Sequence, residues 1–284
     1  MGARLRTLPA AIGPVLVGGG LAWSKGGFAG LPFLAALGGA VLLQVGTNYA
    51  NDYSDFVRGA DTGGRLGAPR VTQTGLMSPA SVRTAAAISF GLAVLAGTYL
   101  VARGGWPVVW IGLASIAAGV CYTGGPWPFG YHGLGEAFVL IFFGPVAVIG
   151  TVYVQMLAWP LDAVSAGVGV GALTTAILVV NNLRDRDTDA VAGKRTLAVR
   201  IGVRGTRIEY AVLLGAAAAI PIAGVRFHAW PTATLLSVGA LGLTLAPLRV
   251  VLSFRDPREL NGALSRTAMA AGLYGLLFAT GCLL

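Results

Sequence analysis

Long apolar runs alternate with short polar segments along almost the whole chain. A run of about 20 apolar residues is long enough for one helical crossing of a lipid bilayer. The second run is too long for one crossing, so its polar end is expected to line a water-accessible cavity. The pattern thus predicts an all-α bundle of nine transmembrane helices forming one domain over residues 1–284, with helices near 8–24, 28–57, 79–102, 106–123, 132–154, 162–184, 203–224, 229–252 and 264–284.

The composition is that of a polytopic membrane protein. Of the 284 residues, 55% are hydrophobic and only 11% are charged, whereas about a quarter of the residues in soluble proteins are charged. If the N-terminus is cytoplasmic, all of the 20 Lys and Arg residues except Lys25, Arg103 and Arg226 lie on the cytoplasmic side. This bias is typical of multi-pass membrane proteins. It also explains the net charge of +9 without nucleic acid as a partner.

Two acidic stretches follow apolar runs, one at residues 48–61 and the other at residues 181–189. An ionised Asp costs about 2.5 to 3.5 kcal/mol at the centre of a membrane helix and less toward its end. Carboxylates in such places need a partner or a function. One such stretch is explained equally well by pairing with neighbouring arginines on a solvated helix end. Two of them in corresponding places favour a shared site.

Within each stretch, polar residues three or four positions apart share one helix face. Their carboxylate and amide oxygens are hard ligands, and Mg²⁺ is bound by one or two carboxylates together with waters and substrate phosphates. The spacing predicts two Mg²⁺ ions with a diphosphate between them, and Asp52, Asp55, Asp185 and Asp189 as the catalytic, metal-binding residues. The supporting amides are Asn48, Asn51, Asn181 and Asn182.

Basic residues near both stretches are candidates for binding the phosphate oxygens that the metals leave bare. Metals and bases together stabilise a departing diphosphate, which is the requirement for ionising an allylic ester. The candidates are Arg58, Arg65, Arg70, Arg184, Lys194 and Arg195.

An aromatic turn at residues 121–136 lies between the two stretches. Tyr122, His132 or Glu136 could orient a phenolic acceptor there. A Pro/Gly turn with interfacial aromatic side chains and a carboxylate at a helix start explains the same residues. On residue chemistry both interpretations stay open, with the structural one favoured.

Other function classes find less support. The chain contains no Walker loop, dinucleotide fingerprint, HExxH or paired CxxC motif. A cation transporter that uses the carboxylates as an ion path would need acids near the bilayer midplane and an exit on the far side. Here both stretches are predicted at one face, and the outer half is almost wholly apolar.

Three parts of the chain resemble the UbiA superfamily of intramembrane prenyltransferases, and most of all its 1,4-dihydroxy-2-naphthoate polyprenyltransferases of menaquinone synthesis. They are residues 51–62, residues 122–126 with 133–136, and residues 182–189 with 193–197. The resemblance implies a nine-helix bundle around a central cavity in the bacterial cell membrane, with the active site toward the cytoplasm. It also implies Mg²⁺ at the two Asp motifs and a polyprenyl diphosphate and dihydroxynaphthoate as substrates. Attack by the ring carbon that bears the carboxylate, followed by loss of CO₂, would give demethylmenaquinone.

Within the resemblance, motif position again assigns the four Asp residues of the two stretches to metal or diphosphate binding. The last acid of the superfamily's usual first motif is displaced here to Asp61, which is therefore not expected to be a direct ligand. Another acceptor of the superfamily, such as 4-hydroxybenzoate, is the alternative within the same fold.

Overall fold

The computed structural model describes residues 2, 4, 7–59, 66, 67 and 69–284. Within these residues the protein is all-helical and has no strand, as predicted. Nine helices follow one another in this part of the chain: α1 (Leu8–Ser24), α2 (Gly30–Val57), α3 (Pro79–Gly104), α4 (Trp106–Cys121), α5 (Gly135–Met156), α6 (Asp162–Val191), α7 (Leu197–Phe227), α8 (Thr232–Ser253) and α9 (Leu260–Leu283).

Six of these helices, namely α2, α3, α5, α6, α7 and α8, are long and apolar enough to cross a membrane. Helices α1 and α4 are apolar but shorter, with 17 and 16 residues. The chain is thus built as a multi-pass membrane protein. Nine crossings, and the side on which the N-terminus lies, stay predictions.

Helix α6 lies at the centre of the bundle and packs against α1, α5, α7 and α9. Most of its apolar length is buried, because small and branched apolar residues cover all of its faces. The helix continues past the predicted end at residue 184 to Val191. The second acidic stretch therefore lies on the last turns of a continuous helix.

Helix α5 is interrupted where it meets α6. A π-helical turn spans Phe142–Val146, and Gly144 within it leaves the helical conformation at φ −118° and ψ −108°. A Cβ atom on Gly167 would lie 2.5 Å from the Cα of Pro145, and one on Gly171 would lie 2.8 Å from the Cα of Gly144. The two glycines of α6 therefore permit the close backbone contact at the interruption of α5.

A polar cluster joins several connections at the other end of the bundle. The Lys25 ammonium lies 2.9 Å from the Asp162 carboxylate, and the Trp230 indole N–H donates to the same carboxylate over 2.9 Å. Asp162 begins α6 and Asp189 lies near its end, about 40 Å away at 1.5 Å per residue. This cluster is therefore remote from both acidic stretches.

Candidate active site

Both acidic stretches face one cavity of about 700 Å³. The first stretch enters it from the last turns of α2 and the second from the last turns of α6. The predicted site residues that line the cavity are Asn48, Asn51, Asp55, Arg70, Tyr122, Asn181, Asn182, Asp185, Asp189 and Lys194. The fold thus brings together two segments that more than a hundred residues separate in sequence.

Some predicted site residues do not line the cavity; these are Asp52, Arg58, Arg184 and Arg195. Asp52 is buried, and its Oδ1 has no hydrogen-bond partner among the described residues. Arg58 and Arg195 are exposed. Asp61 and Arg65 lie outside the described residues.

Asp55 is the most heavily paired carboxylate of the site. It is 1% exposed, with Arg70 Nη2 at 2.5 Å from Oδ2 and Lys194 Nζ at 3.1 Å from Oδ1. The Tyr131 hydroxyl also donates to Oδ1, and the Lys194 ammonium lies 4.7 Å from the centre of the Tyr131 ring. Burial and the adjacent Asp55 carboxylate raise the pKa of Tyr131, so it stays a neutral hydroxyl donor.

The amides of the first stretch are held by neighbouring elements. Asn48 donates to the Thr7 hydroxyl over 3.1 Å and accepts from Gln44 over 3.3 Å. The Thr123 hydroxyl, in the α4–α5 connection, donates to Asn51 Oδ1 over 2.9 Å. These contacts fix the amides before any ligand binds.

Arg184 organises the second stretch from behind the cavity wall. Its guanidinium donates to both oxygens of Asp185, over 2.8 and 2.6 Å, and to Asn181 Oδ1 over 2.9 Å. A further N–H donates to Asn261 Oδ1 of α9 over 3.0 Å. A bidentate pair of this kind sets the direction of the carboxylate. Arg184 is therefore placed to orient Asp185.

An aromatic wall closes one end of the cavity. Tyr122, Phe129 and Phe138 line it, and the rings of Phe129 and Phe138 stack with centroids 3.9 Å apart. Next to this wall, Asn182 Nδ2 donates to Glu136 Oε1 over 2.7 Å. Aromatic faces next to a polar pair form a suitable surface for a flat ring that carries hydroxyl groups.

Tyr122 and His132 of the aromatic turn differ in their placement. Burial raises the pKa of Tyr122, and the carboxylates of Glu136, Asp189 and Asp55 act in the same direction. Its hydroxyl therefore stays protonated. The His132 ring stacks on Trp127 with centroids 4.4 Å apart and does not line the cavity.

The oxygen ligands at the cavity are of the type that Mg²⁺ prefers. Carboxylate and amide oxygens of both stretches line the same space; Asp52 lies outside this lining and keeps one buried oxygen without a partner among the described residues. Among the described residues, no three His, Cys, Asp or Glu side chains converge as a ready-made metal centre. A bound ligand with phosphate oxygens would supply the further oxygen ligands that a Mg²⁺ ion held by these side chains would need.

Sequence reasoning missed Tyr131 as a partner of the site. It lies 76 positions from Asp55, so no helical spacing relates the two residues. The available signal was the aromatic turn that contains Tyr131, although the candidates predicted there included Tyr122 and His132 and not Tyr131.

Several known proteins are similar to this chain over nearly its whole length. The model of the UbiA prenyltransferase family matches residues 11–273. The chain is 44% identical to the 1,4-dihydroxy-2-naphthoate octaprenyltransferase of Mycobacterium tuberculosis, over 98% of this chain and 94% of that protein. It is 37% identical to the Escherichia coli protein of the same name, over 99% of this chain and 93% of that protein.

Solved structures match in fold at low sequence identity. The apo structure of a UbiA homolog from Aeropyrum pernix aligns with a TM-score of 0.70 and 16% identity, covering 94% of this chain and 97% of that one. A UbiA homolog from Archaeoglobus fulgidus, bound to DMAPP and Mg²⁺, aligns with a TM-score of 0.60 and 15% identity, covering 97% and 99%. These alignments show that the helical architecture is shared.

Proposed function

Because the chain belongs to the UbiA prenyltransferase family, we propose that it transfers a polyprenyl group from a polyprenyl diphosphate to 1,4-dihydroxy-2-naphthoate. Pyrophosphate and CO₂ are released, and the product is the reduced, quinol form of demethylmenaquinone. The observation that carries the proposal is the shared cavity: acids from α2 and α6, and bases from the connections that follow these two helices, line it together with an aromatic wall.

The remainder of the cavity suits the polyprenyl chain. Away from the acidic stretches its lining is mostly apolar and comes mainly from α3, α4 and α5, for example Val101, Val108, Ile111 and Val146. The Ser and Thr hydroxyls among these residues donate to carbonyls of their own helices. An isoprenoid tail is apolar throughout, so such a lining binds it without unpaired polar groups. The division into a charged end and an apolar remainder matches the two parts of the proposed donor.

Mg²⁺ is part of the proposal, with Asp52, Asp55, Asp185 and Asp189 as the residues that hold it. When bound, the ion neutralises charge on the diphosphate and makes it a better leaving group. The Archaeoglobus homolog was solved with DMAPP and Mg²⁺ bound, which supports the same pairing here.

The basic residues of the site are proposed to bind the leaving group. Arg70 and Lys194 are both buried and both lie against Asp55. Buried cations stabilise a diphosphate more strongly than solvated ones because the surrounding dielectric constant is low. As the allylic C–O bond breaks, the negative charge that develops on the pyrophosphate is expected to be shared between these two side chains.

The proposed setting is a bacterial cell membrane, with nine crossings, a cytoplasmic N-terminus and an active site toward the cytoplasm. The distribution of Lys and Arg along the sequence supports this orientation. The two acidic helix ends would then be accessible from the cytoplasmic side to the diphosphate group of the donor and to the water-soluble naphthoate.

An acceptor panel tests the proposed reaction. Purified protein in detergent is supplied with Mg²⁺ and a polyprenyl diphosphate, and then with either dihydroxynaphthoate or 4-hydroxybenzoate. We expect equimolar pyrophosphate and CO₂ with the naphthoate and at most slow turnover with the benzoate. Turnover with 4-hydroxybenzoate alone would contradict the assignment of the acceptor. No pyrophosphate release with any acceptor would contradict the transferase assignment.

A further inference from the structure

Glu136 is a buried acid that the proposed reaction does not yet use. It is 5% exposed, at the first turn of α5. Its Oε1 accepts from Asn182 Nδ2 over 2.7 Å, and its Oε2 is buried without a hydrogen-bond partner among the described residues. A buried carboxylate is costly unless it is fully paired. Its presence beside the cavity therefore calls for a role.

The chemistry of the pair fixes the orientation of the Asn182 amide. A carboxylate oxygen accepts hydrogen bonds, and of the two amide atoms of Asn182 only Nδ2 donates. The amide nitrogen therefore faces Glu136, and the amide oxygen is left for the cavity that Asn182 lines. A Gln at position 136 could face Asn182 with either its oxygen or its nitrogen, so this constraint would be lost.

The surroundings indicate what binds to that oxygen. Tyr122, Phe129 and Phe138 form aromatic faces on the cavity wall. Thr123, next to Tyr122, donates to Asn51, and Glu136 accepts from Asn182, so this wall lies beside both acidic stretches. A flat aromatic ring bound here would lie next to the place where the allylic carbon loses its diphosphate.

We propose that the aromatic acceptor binds against Tyr122, Phe129 and Phe138 and donates a hydroxyl hydrogen bond to Asn182 Oδ1. Glu136 is a positioning residue, which acts through Asn182. This inference rests on the proposed function and names its acceptor subsite. The hydrogen bond selects acceptors with a hydroxyl group at the matching ring position, and the aromatic faces set the plane of the ring.

The test compares Glu136→Gln with Glu209→Gln. Glu209, on α7, is an acid that also has a buried oxygen without a partner among the described residues. Like Glu136 it does not line the cavity, but no hydrogen bond among those residues joins it to Asn182. For Glu136→Gln we expect the acceptor KM to rise about tenfold, the effect of losing one well-placed hydrogen bond. The KM for the polyprenyl diphosphate should stay within about twofold. Glu209→Gln should leave both values near those of the wild type.

Acceptor analogues separate positioning from a general structural effect. The analogues are the two naphthoates that each lack one hydroxyl group. The wild type should discriminate against at least one of them, and Glu136→Gln should reduce that discrimination by about the same tenfold factor. An unchanged acceptor KM, or an equal rise of both KM values, would overturn the inference.

A second variant keeps the test decisive if Glu136→Gln does not fold. Phe138→Leu removes a stacked ring of the wall without touching the Glu136–Asn182 pair. It should raise the acceptor KM and leave the diphosphate KM unchanged, and an unchanged acceptor KM would overturn the subsite. A wild-type protein that does not turn over dihydroxynaphthoate would instead overturn the proposed function itself.

Discussion

At the scale of single residues, the Asp55 cluster is the most tightly organised part of the site. One buried carboxylate contacts two buried cations, Arg70 and Lys194, and the Tyr131 hydroxyl. Removing one member of such a cluster leaves the others with uncompensated charge at low dielectric. Asp55 therefore holds the two cations in place, and the diphosphate is proposed to supply the further negative charge.

Lys194→Met tests the role of this cluster in diphosphate binding. The change removes a buried ammonium but keeps the apolar stem of the side chain. We expect kcat/KM for the polyprenyl diphosphate to fall about 100-fold, in the range seen when one charge-stabilising donor is lost. The matched control is Arg186→Met, because Arg186 pairs locally with the exposed Asp187. Equal rates for Lys194→Met and the control would contradict the assigned role.

The chemical types of the site residues could be predicted from the sequence, whereas most of their contacts could not. Helical spacing identified the acids and amides of both stretches, and the structure places most of them in one cavity. Helical spacing could not distinguish Lys194, which is buried at the site, from the adjacent Arg195, which is exposed. That difference depends on how the α6–α7 connection packs against Tyr131, and no local pattern encodes a contact between distant segments.

At the scale of secondary-structure elements, the contact between α5 and α6 positions Glu136 and Asn182, the pair proposed to lie at the acceptor end of the site. Helix α5 carries Glu136 and α6 carries Asn182, and Gly167 lets the two backbones meet. Small residues permit close helix contacts in lipid, where apolar surface alone gives no preference for one partner helix over another. The geometry of the pair thus depends on a glycine near the start of α6, 15 residues before Asn182.

Gly167→Ala tests this dependence. The new Cβ would lie 2.5 Å from a backbone atom of Pro145, which has no side-chain freedom to move away. We expect a loss of stability of about 1–3 kcal/mol, typical of overpacking, measured by thermal unfolding in detergent. Gly215→Ala in α7 is the control, since nothing lies within 4 Å of its added Cβ. Equal stability of the two variants would contradict the account of the contact.

Helix order was predictable from sequence, whereas breaks within helices were not. Apolar runs located all nine helices to within several residues of their ends. The interruption at Gly144 and the break of α7 at Gly202 escaped prediction. Glycines are frequent in these helices, and only tertiary packing decides which of them leaves the helical conformation.

At the scale of the whole molecule, the acidic ends of α2 and α6 meet at one cavity, while the Lys25–Asp162 cluster lies at the other end of α6. The apolar length between these ends explains why most of the surface suits lipid. We propose that both acidic helix ends bind one diphosphate together with Mg²⁺. Each acidic helix end should then be necessary for diphosphate binding, and neither end should be sufficient by itself.

Binding of a non-hydrolysable polyprenyl thiodiphosphate in the presence of Mg²⁺ tests that claim most directly. Dissociation constants would be measured for the wild type, for Asp52→Ala and Asp185→Ala as the two site variants, and for Asp187→Ala as an exposed control on the same helix as Asp185. We predict that each site variant weakens binding at least about tenfold and, with the reactive diphosphate, abolishes nearly all turnover, whereas the control binds as the wild type does. Wild-type affinity in either Asp52→Ala or Asp185→Ala would contradict the account.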